Sequence, residues 1–299
     1  MKFGLYVPHW TGASGGTDPR WGDVLDTARA AEQAGFDSLW VIGHHYVPFG
    51  QGVVWSLWDP WSLLAALAAV TERIELGPLV SCTAYRNPAI LARTAASVDE
   101  ISGGRLILGI GGGYFDAEFD ALGIPPDHRV DRFAEAVQII TGLLRNGEVD
   151  FAGEHYRAEM ELGLPQVRPG GPPILIGASQ PRMMRLTAEY ADMWNVWLPF
   201  STDPAGDFRE KRRGLDRACA EADRDPATVG RIASVAVGLL GDRPTFGPYD
   251  MVNLGADRAE IADRLLQMQA EGVDHVQFCL APATPRGVEA LAEVVATVG

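Results

Sequence analysis

The sequence predicts an α/β fold, a (β/α)8 TIM barrel, and three observations predict it. Short and almost wholly apolar segments recur along the chain. Helical patterns separate them. A capping residue followed by proline marks helix starts repeatedly.

A strand buried on both faces has no polar side, so it reads as a continuous apolar run. Eight runs have this form: Phe3–Pro8, Ser38–His44, Ile74–Ser81, Arg105–Gly111, Pro173–Ala178, Met193–Leu198, Ile232–Leu240 and His275–Ala281. After the first, Trp21, Val24, Leu25, Ala28, Ala31 and Ala34 share one helical face, and Gly35 follows as a stop. Helix starts are expected at Asp18-Pro19, Asp59-Pro60, Asn87-Pro88, Asp203-Pro204 and Thr284-Pro285. There Asp, Asn or Thr satisfies the orphan amides, and proline in the first turn loses no bond. Asp257 and Glu260 have the spacing of a capped start, with Gly272 as the stop before the last strand.

Two intervals are too long for a plain unit. Asn146–Gly171 is polar and β-prone and reads as a hairpin or loop inserted after the fourth helix. Gly241–Gly255 follows the seventh strand and is rich in Gly, Pro and Asp, as lids at a barrel mouth often are. No linker or low-complexity segment divides residues 1–299, so one barrel domain is expected. An open doubly wound sheet is the alternative, since strand number alone does not prove closure.

Composition narrows the function classes. At 47% hydrophobic and 21% charged, the chain is an ordinary globular one and not a disordered one. Its net charge of -14 argues against nucleic acid and anionic membranes as partners. The densest basic run, Arg209, Lys211, Arg212 and Arg213, is mixed with Asp207, Glu210 and Asp216 and reads as a solvated helix face. Three widely spaced cysteines, Cys82, Cys219 and Cys279, form no disulfide framework or zinc motif. The first residues read as a strand and not as a signal peptide, and no apolar run suffices to cross a membrane, so a cytoplasmic setting is expected.

A barrel builds its active site from the C-terminal ends of its strands. That rule brings His9 and Trp10, His44 and Tyr46, Cys82, Gly111-Gly112-Gly113, Ser179-Gln180 and Trp197 to one mouth. His44 stands out, because imidazole is the side chain best tuned for proton transfer near neutral pH. The competing reading is a histidine bonded to a backbone carbonyl. Side chains alternate along a strand, so His45 should point away from the axis. His128 and His155 fall in loops and read as surface residues. The glycine run suggests close backbone approach to a ligand, or a tight strand exit; its spacing is not the dinucleotide fingerprint. Ser179, Gln180 and Arg182 at a helix start could seat a phosphate, and a simple cap would look similar. A metal site is disfavoured: the first strand has only His9, and the last strand carries no carboxylate.

Three stretches resemble the bacterial luciferase-like family of flavin- and deazaflavin-dependent oxidoreductases. They are Ala34 to Trp40 running on to His44-His45; Leu76 to Val80 through Arg86-Asn87-Pro88, Asp99 and Ser102 to Leu106, ending in Leu108 to Gly111; and Pro173 to Ser179 followed by Ala191 to Trp194. The second stretch is the most specific and looks closer to the coenzyme F-420 branch. The resemblance implies a hydride-transferring enzyme with noncovalent F-420, an 8-hydroxy-5-deazaflavin, and a small organic substrate. An FMN-dependent monooxygenase fed by a separate flavin reductase is the alternative, and a non-catalytic flavin-binding barrel the second; the family often forms homodimers. By position, His44 is implied as the proton donor beside the ring. Leu79 and Val80 are implied as a non-prolyl cis peptide whose bulge supports it, and Cys82 as a ring contact. Gly112, Gly113, Ser179, Gln180, Arg182 and Met183 are implied around the ribityl chain and phosphate. His9, Trp10, Tyr46 and Trp197 are the candidates for the substrate side. One departure matters: Gly43 stands where the family commonly has Asp or Glu. No carboxylate can hold His44 from there, so either another group does so or the chemistry is altered.

Overall fold

The computed structural model describes residues 1–13, 17–50 and 52–298. The chain begins with β1 (Lys2–Tyr6), α1 (Trp21–Gln33), β2 (Ser38–Ile42), a hairpin of β3 (Tyr46–Gly50) and β4 (Val53–Ser56), and α2 (Pro60–Val70). It continues with β5 (Glu75–Leu79), β6 (Ser81–Cys82), α3 (Pro88–Ile101), β7 (Leu108–Gly111), α4 (Asp116–Leu122) and α5 (Arg129–Thr141). A second hairpin, β8 (Glu148–Ala152) with β9 (Arg157–Glu161), precedes β10 (Ile174–Gly177), α6 (Pro181–Tyr190), β11 (Met193–Trp197) and α7 (Pro204–Glu221). Then come β12 (Gly230–Gly238), a short hairpin of β13 (Thr245–Phe246) and β14 (Tyr249–Asp250), α8 (Arg258–Ala270), β15 (His275–Ala281) and α9 (Pro285–Val295).

The main sheet is parallel and runs β5-β2-β1-β15-β12-β11-β10-β7-β6. Its two end members, β5 and β6, are halves of one stave interrupted at Val80, where the Leu79–Val80 peptide is cis. Ser81 pairs with Ile110 on one side while Leu79 pairs with Ile42 on the other. The sheet therefore closes on itself as an eight-stave barrel, and each expected strand supplies one stave. Helices wrap the outside, where residues such as Val24, Leu64, Phe133 and Leu265 are fully buried against the staves. A smaller cluster including Trp40, Ile107, Leu175 and Ile232 fills the barrel interior.

The expected caps hold at four of the five proline-marked starts: Asp59, Asn87, Asp203 and Thr284 each accept a backbone N–H of the first turn. Asp257 also accepts the Glu260 N–H, at 2.9 Å. Asp18 does not cap α1. It accepts the Gly12 N–H instead, and α1 begins at Trp21 with the Asp23 carboxylate taking the Arg20 N–H. The insertion after the fourth helix is the β8–β9 hairpin, and the one after the seventh strand carries β13–β14. The β3–β4 hairpin has no counterpart in the sequence reading; Pro48 and Gly50 interrupt its alternation, and its register shifts there. Among the described residues, no helix is long and apolar enough to cross a membrane.

Candidate functional site

The C-terminal ends of the staves open into a cleft of about 540 Å³. Its lining includes His44, Leu79, Val80, Cys82, Gly112, Gly113, Ser179, Gln180, Met183 and Trp197, all singled out from sequence. Arg182 is not among the lining residues; its guanidinium donates to Asp131 at 2.5 Å. His9 is fully buried below the mouth, with its ring nitrogens 2.8 and 3.3 Å from the carbonyl oxygens of Val7 and Ile42. Burial pushes its pKa down to about 4. Trp10 lines a smaller neighbouring cavity of about 260 Å³ beside Thr245 and Met251. Tyr46 lies on the β3–β4 hairpin, 38% exposed and outside the lining.

Close packing fixes the floor. Val80 projects among the ends of β7 and β10, and a Cβ on Gly111 would come within 2.7 Å of its side chain. A Cβ on Gly43 would fall 1.9 Å from the Val80 carbonyl oxygen. The residue before His44 is therefore glycine because the broken third stave passes directly beside it. An acidic side chain there has no room.

The carboxylate comes from elsewhere. Glu118, on α4, is completely buried and accepts a hydrogen bond from His44 Nδ1. Its other oxygen accepts the His45 and Tyr46 backbone N–H groups at 2.7 and 3.2 Å. The Tyr85 hydroxyl donates at 2.9 Å to the oxygen that His44 meets. Burial acts to raise the Glu118 pKa, but the bond from His44 and the two amide donors outweigh it and hold the carboxyl below its ordinary value. Glu118 is thus an ionised acceptor that ties the end of β2 to α4. Sequence reasoning missed it because it sits among Asp116 and Asp120 on a short helix and resembles a solvated face. The signal for it was indirect: His44 without an acid at position 43.

Three other ionisable groups of the cleft, Cys82, Tyr114 and Tyr6, are held neutral. Burial pushes the Cys82 thiol up to about 12, and the Tyr114 phenol to about 12 with Glu118 adding to the effect. Burial also raises the Tyr6 phenol well above its ordinary value. Its hydroxyl meets Ser234 Oγ at 3.2 Å in a polar floor where Asn195 Nδ2 donates to Gln277 Oε1 at 2.8 Å. Arg129 and Lys211 line the cleft, and no Asp or Glu does among the described residues. Arg129 reaches over the Phe119 ring, 4.5 Å from its centroid, and pairs with Asp116. Its Nε is buried without a partner.

These features suit a planar, anion-bearing heterocycle such as a flavin or deazaflavin phosphate. The stave ends around Val80 leave a glycine-lined platform with His44 at one end. The α6 start, on stave β10, lies across the mouth from it, and the Arg129 guanidinium lies over Phe119 of α4 with its Nε unpartnered. The α6 N-cap, Gln180, makes no side-chain capping bond, so the first amides of that helix keep their donor capacity. No group of three or more potential metal ligands occurs among the described residues.

Comparison with known proteins identifies the chain's relatives. The chain is 30% identical over 245 residues to a 5,10-methylenetetrahydromethanopterin reductase of Archaeoglobus fulgidus, covering 81% of this chain and 66% of that protein. The reductase of the same name from Methanolobus tindarius is 33% identical over 258 residues, covering 80% and 73%. An F-420-dependent hydroxymycolic acid dehydrogenase of Mycobacterium tuberculosis is 32% identical over 221 residues, covering 72% of this chain and 58% of the relative. The chain thus spans roughly three fifths to three quarters of the length of these relatives. Among solved structures, an F-420-dependent secondary alcohol dehydrogenase superposes with a TM-score of 0.79 over 100% of this chain and 99% of its own, at 18% identity. That likeness speaks to the barrel fold. Residues 1–243 match the family model described as luciferase-like monooxygenase, and the chain belongs to that family.

Proposed function

We propose that the protein is an oxidoreductase that binds coenzyme F-420 noncovalently in the cleft and transfers hydride between it and a small organic substrate. The observation that carries this reading is a histidine held by a buried carboxylate in the same cleft as two cations, Lys211 and Arg129, the latter with its Nε unpartnered. The name of the mycobacterial relative, an F-420-dependent dehydrogenase, supports the deazaflavin over FMN. When bound, F-420 supplies the two-electron hydride chemistry at its ring centre.

The chain's own residues do the rest. Val80, Leu79 and the glycine ends of β7 and β10 give the ring a flat, apolar support. Glu118 keeps a proton on His44 Nδ1, which leaves Nε2 as the exchanging nitrogen on the cleft side. At Nε2 His44 gives a proton to a substrate oxygen as a carbonyl is reduced, or takes one as an alcohol is oxidised. Trp197 and Phe246 wall the cleft and exclude water. Arg129 and the α6 start hold the phosphate end.

Equilibrium titration of the purified protein with F-420 and with FMN, followed by absorbance, tests the reading. Tighter binding of F-420 is expected. Preference for FMN would overturn it in favour of a monooxygenase supplied with reduced flavin.

A further inference from the structure

The basic run on α7 does not behave as one face. Arg209 pairs with Glu271 at 2.8 Å, and Arg212 donates to the Glu271 carbonyl. Both follow the expectation for a solvated helix. Lys211 does not. It is half-buried, it lines the cleft, and it makes no hydrogen bond or ion pair with any described residue.

Its place in the fold gives it a direction. α6 packs between α5 and α7. Arg129 opens α5 and Lys211 lies on α7, so the two cations approach the cleft from opposite sides of α6. Ser179, Gln180 and Met183, at the α6 start, line the same cleft. This is the end away from His44. A half-buried ammonium that faces a cleft is well placed to take an anion, and among the described residues no carboxylate lines the cleft to provide one. In a chain of net charge -14, two cations facing an acid-free cleft form a local exception.

We infer that Lys211 is a second anion position, distinct from the phosphate seat at Arg129 and the α6 start, and that it holds a carboxylate of the acidic tail that F-420 carries beyond its phosphate. The assignment rests on the F-420 reading above. It makes Lys211 the residue that separates F-420 from FMN, whose phosphate ends the molecule. Substrate carboxylates are the lesser fit, because Lys211 sits by the phosphate end and not by His44.

The test uses two ligands that share ring, ribityl chain and phosphate: F-420 itself, and the 5′-phosphate of the same deazaflavin without the tail. Dissociation constants are measured for the wild type, Lys211→Met and Lys211→Arg, with thermal melting of each protein without ligand. Lys211→Met should weaken F-420 binding about 5- to 10-fold and leave the tail-free phosphate unchanged, with Lys211→Arg close to wild type. Melting temperatures should agree, since the ammonium makes no bond within the protein. Equal weakening of both ligands would move Lys211 to the shared part of the cofactor and overturn the tail assignment. No weakening of either would remove Lys211 from the site. Failure of the wild type to bind both ligands would instead overturn the F-420 reading itself.

Discussion

The two ends of the barrel use their charged groups differently. At the N-terminal end Arg105 and Asp99 tie neighbouring elements together, although the Arg231 Nε at the start of β12 is buried without a partner. Arg105, just before β7, donates to the carbonyls of Ala68, Thr71 and Ile74 at 2.8 to 2.9 Å and so ties the end of α2 to the start of β5. Asp99, 3% exposed, accepts Arg168 Nη2 at 2.8 Å. At the mouth, Lys211 pairs with no described residue, the Arg129 Nε is buried without a partner, and α6 begins without a side-chain cap. Buried polar groups are normally satisfied, and an orphan that lines a cleft is one a ligand can complete. The closed end therefore holds the barrel together, and the open end is built around something that is not protein.

The histidines carry the same contrast, and the largest expected effect tests it. His9 and His275 are locked in the interior, whereas His44 reaches the cleft with one nitrogen committed to Glu118. His44→Asn keeps a polar group of similar size. It should slow single-turnover hydride transfer by about 10²–10⁴-fold while cofactor affinity and melting temperature change little. Glu118→Gln should also slow turnover, by about 10-fold or more, and shift its pH profile, because an amide no longer enforces a proton on Nδ1. Rates equal to wild type from pH 5 to 9 in both variants would make His44 a structural histidine like the other two.

The same division explains what was legible in the sequence. The staves were readable because burial on both faces leaves uninterrupted apolar runs. The stretch most specific for the family, Leu76 to Gly111, includes Asp99 and Arg105 at the closed end, which act locally on neighbouring turns. The cleft residues at stave ends followed from the barrel rule. Glu118 and Lys211 did not, because each reaches the site from a helix surrounded by charges of its own kind, and neither helix shows in sequence which side chain turns inward. Gly43 looked like a defect; in the structure it is a steric consequence of the Val80 carbonyl beside it.

The locked histidines give the next effect in size. Burial, with Lys2 and the N-terminal amine adding to it, pushes His275 down to about 3. Burial alone drives His9 to about 4 against two hydrogen bonds that act the other way. Both are neutral when folded, and each regains a pKa near 6.5 on unfolding. Above that pH neither state binds the proton, and stability is independent of these groups. As pH falls below it, the unfolded chain takes up protons that the fold refuses, so stability drops until the folded pKa values are reached. From pH 7 to 5 the loss should be about 2 kcal/mol per histidine. Urea unfolding across that range measures it, and His275→Gln should remove about half of the slope. An unchanged slope in the variant would mean that His275 is readily protonated in the folded protein.

The smallest effect concerns a residue that sequence reading placed on the cofactor phosphate. Arg182 sits in the first turn of α6, where a charge-assisted bond to phosphate would weaken binding by about 10-fold or more when lost. In the structure its side chain is 58% exposed and paired with Asp131, which is 44% exposed, outside the cleft lining. The hydrogen bond from Arg182 is also the main reason that the Asp131 carboxyl lies below its ordinary pKa. An exposed pair of this kind screens readily, and Arg182 acts on the cleft only through its distance-weakened charge. Arg182→Gln should therefore change the F-420 dissociation constant by no more than about 3-fold, and the change should vanish in high salt. Isothermal titration at two ionic strengths decides the matter. A salt-resistant loss of 10-fold or more would show that Arg182 leaves Asp131 for the phosphate when the cofactor binds, and the mouth would then hold three working cations instead of two.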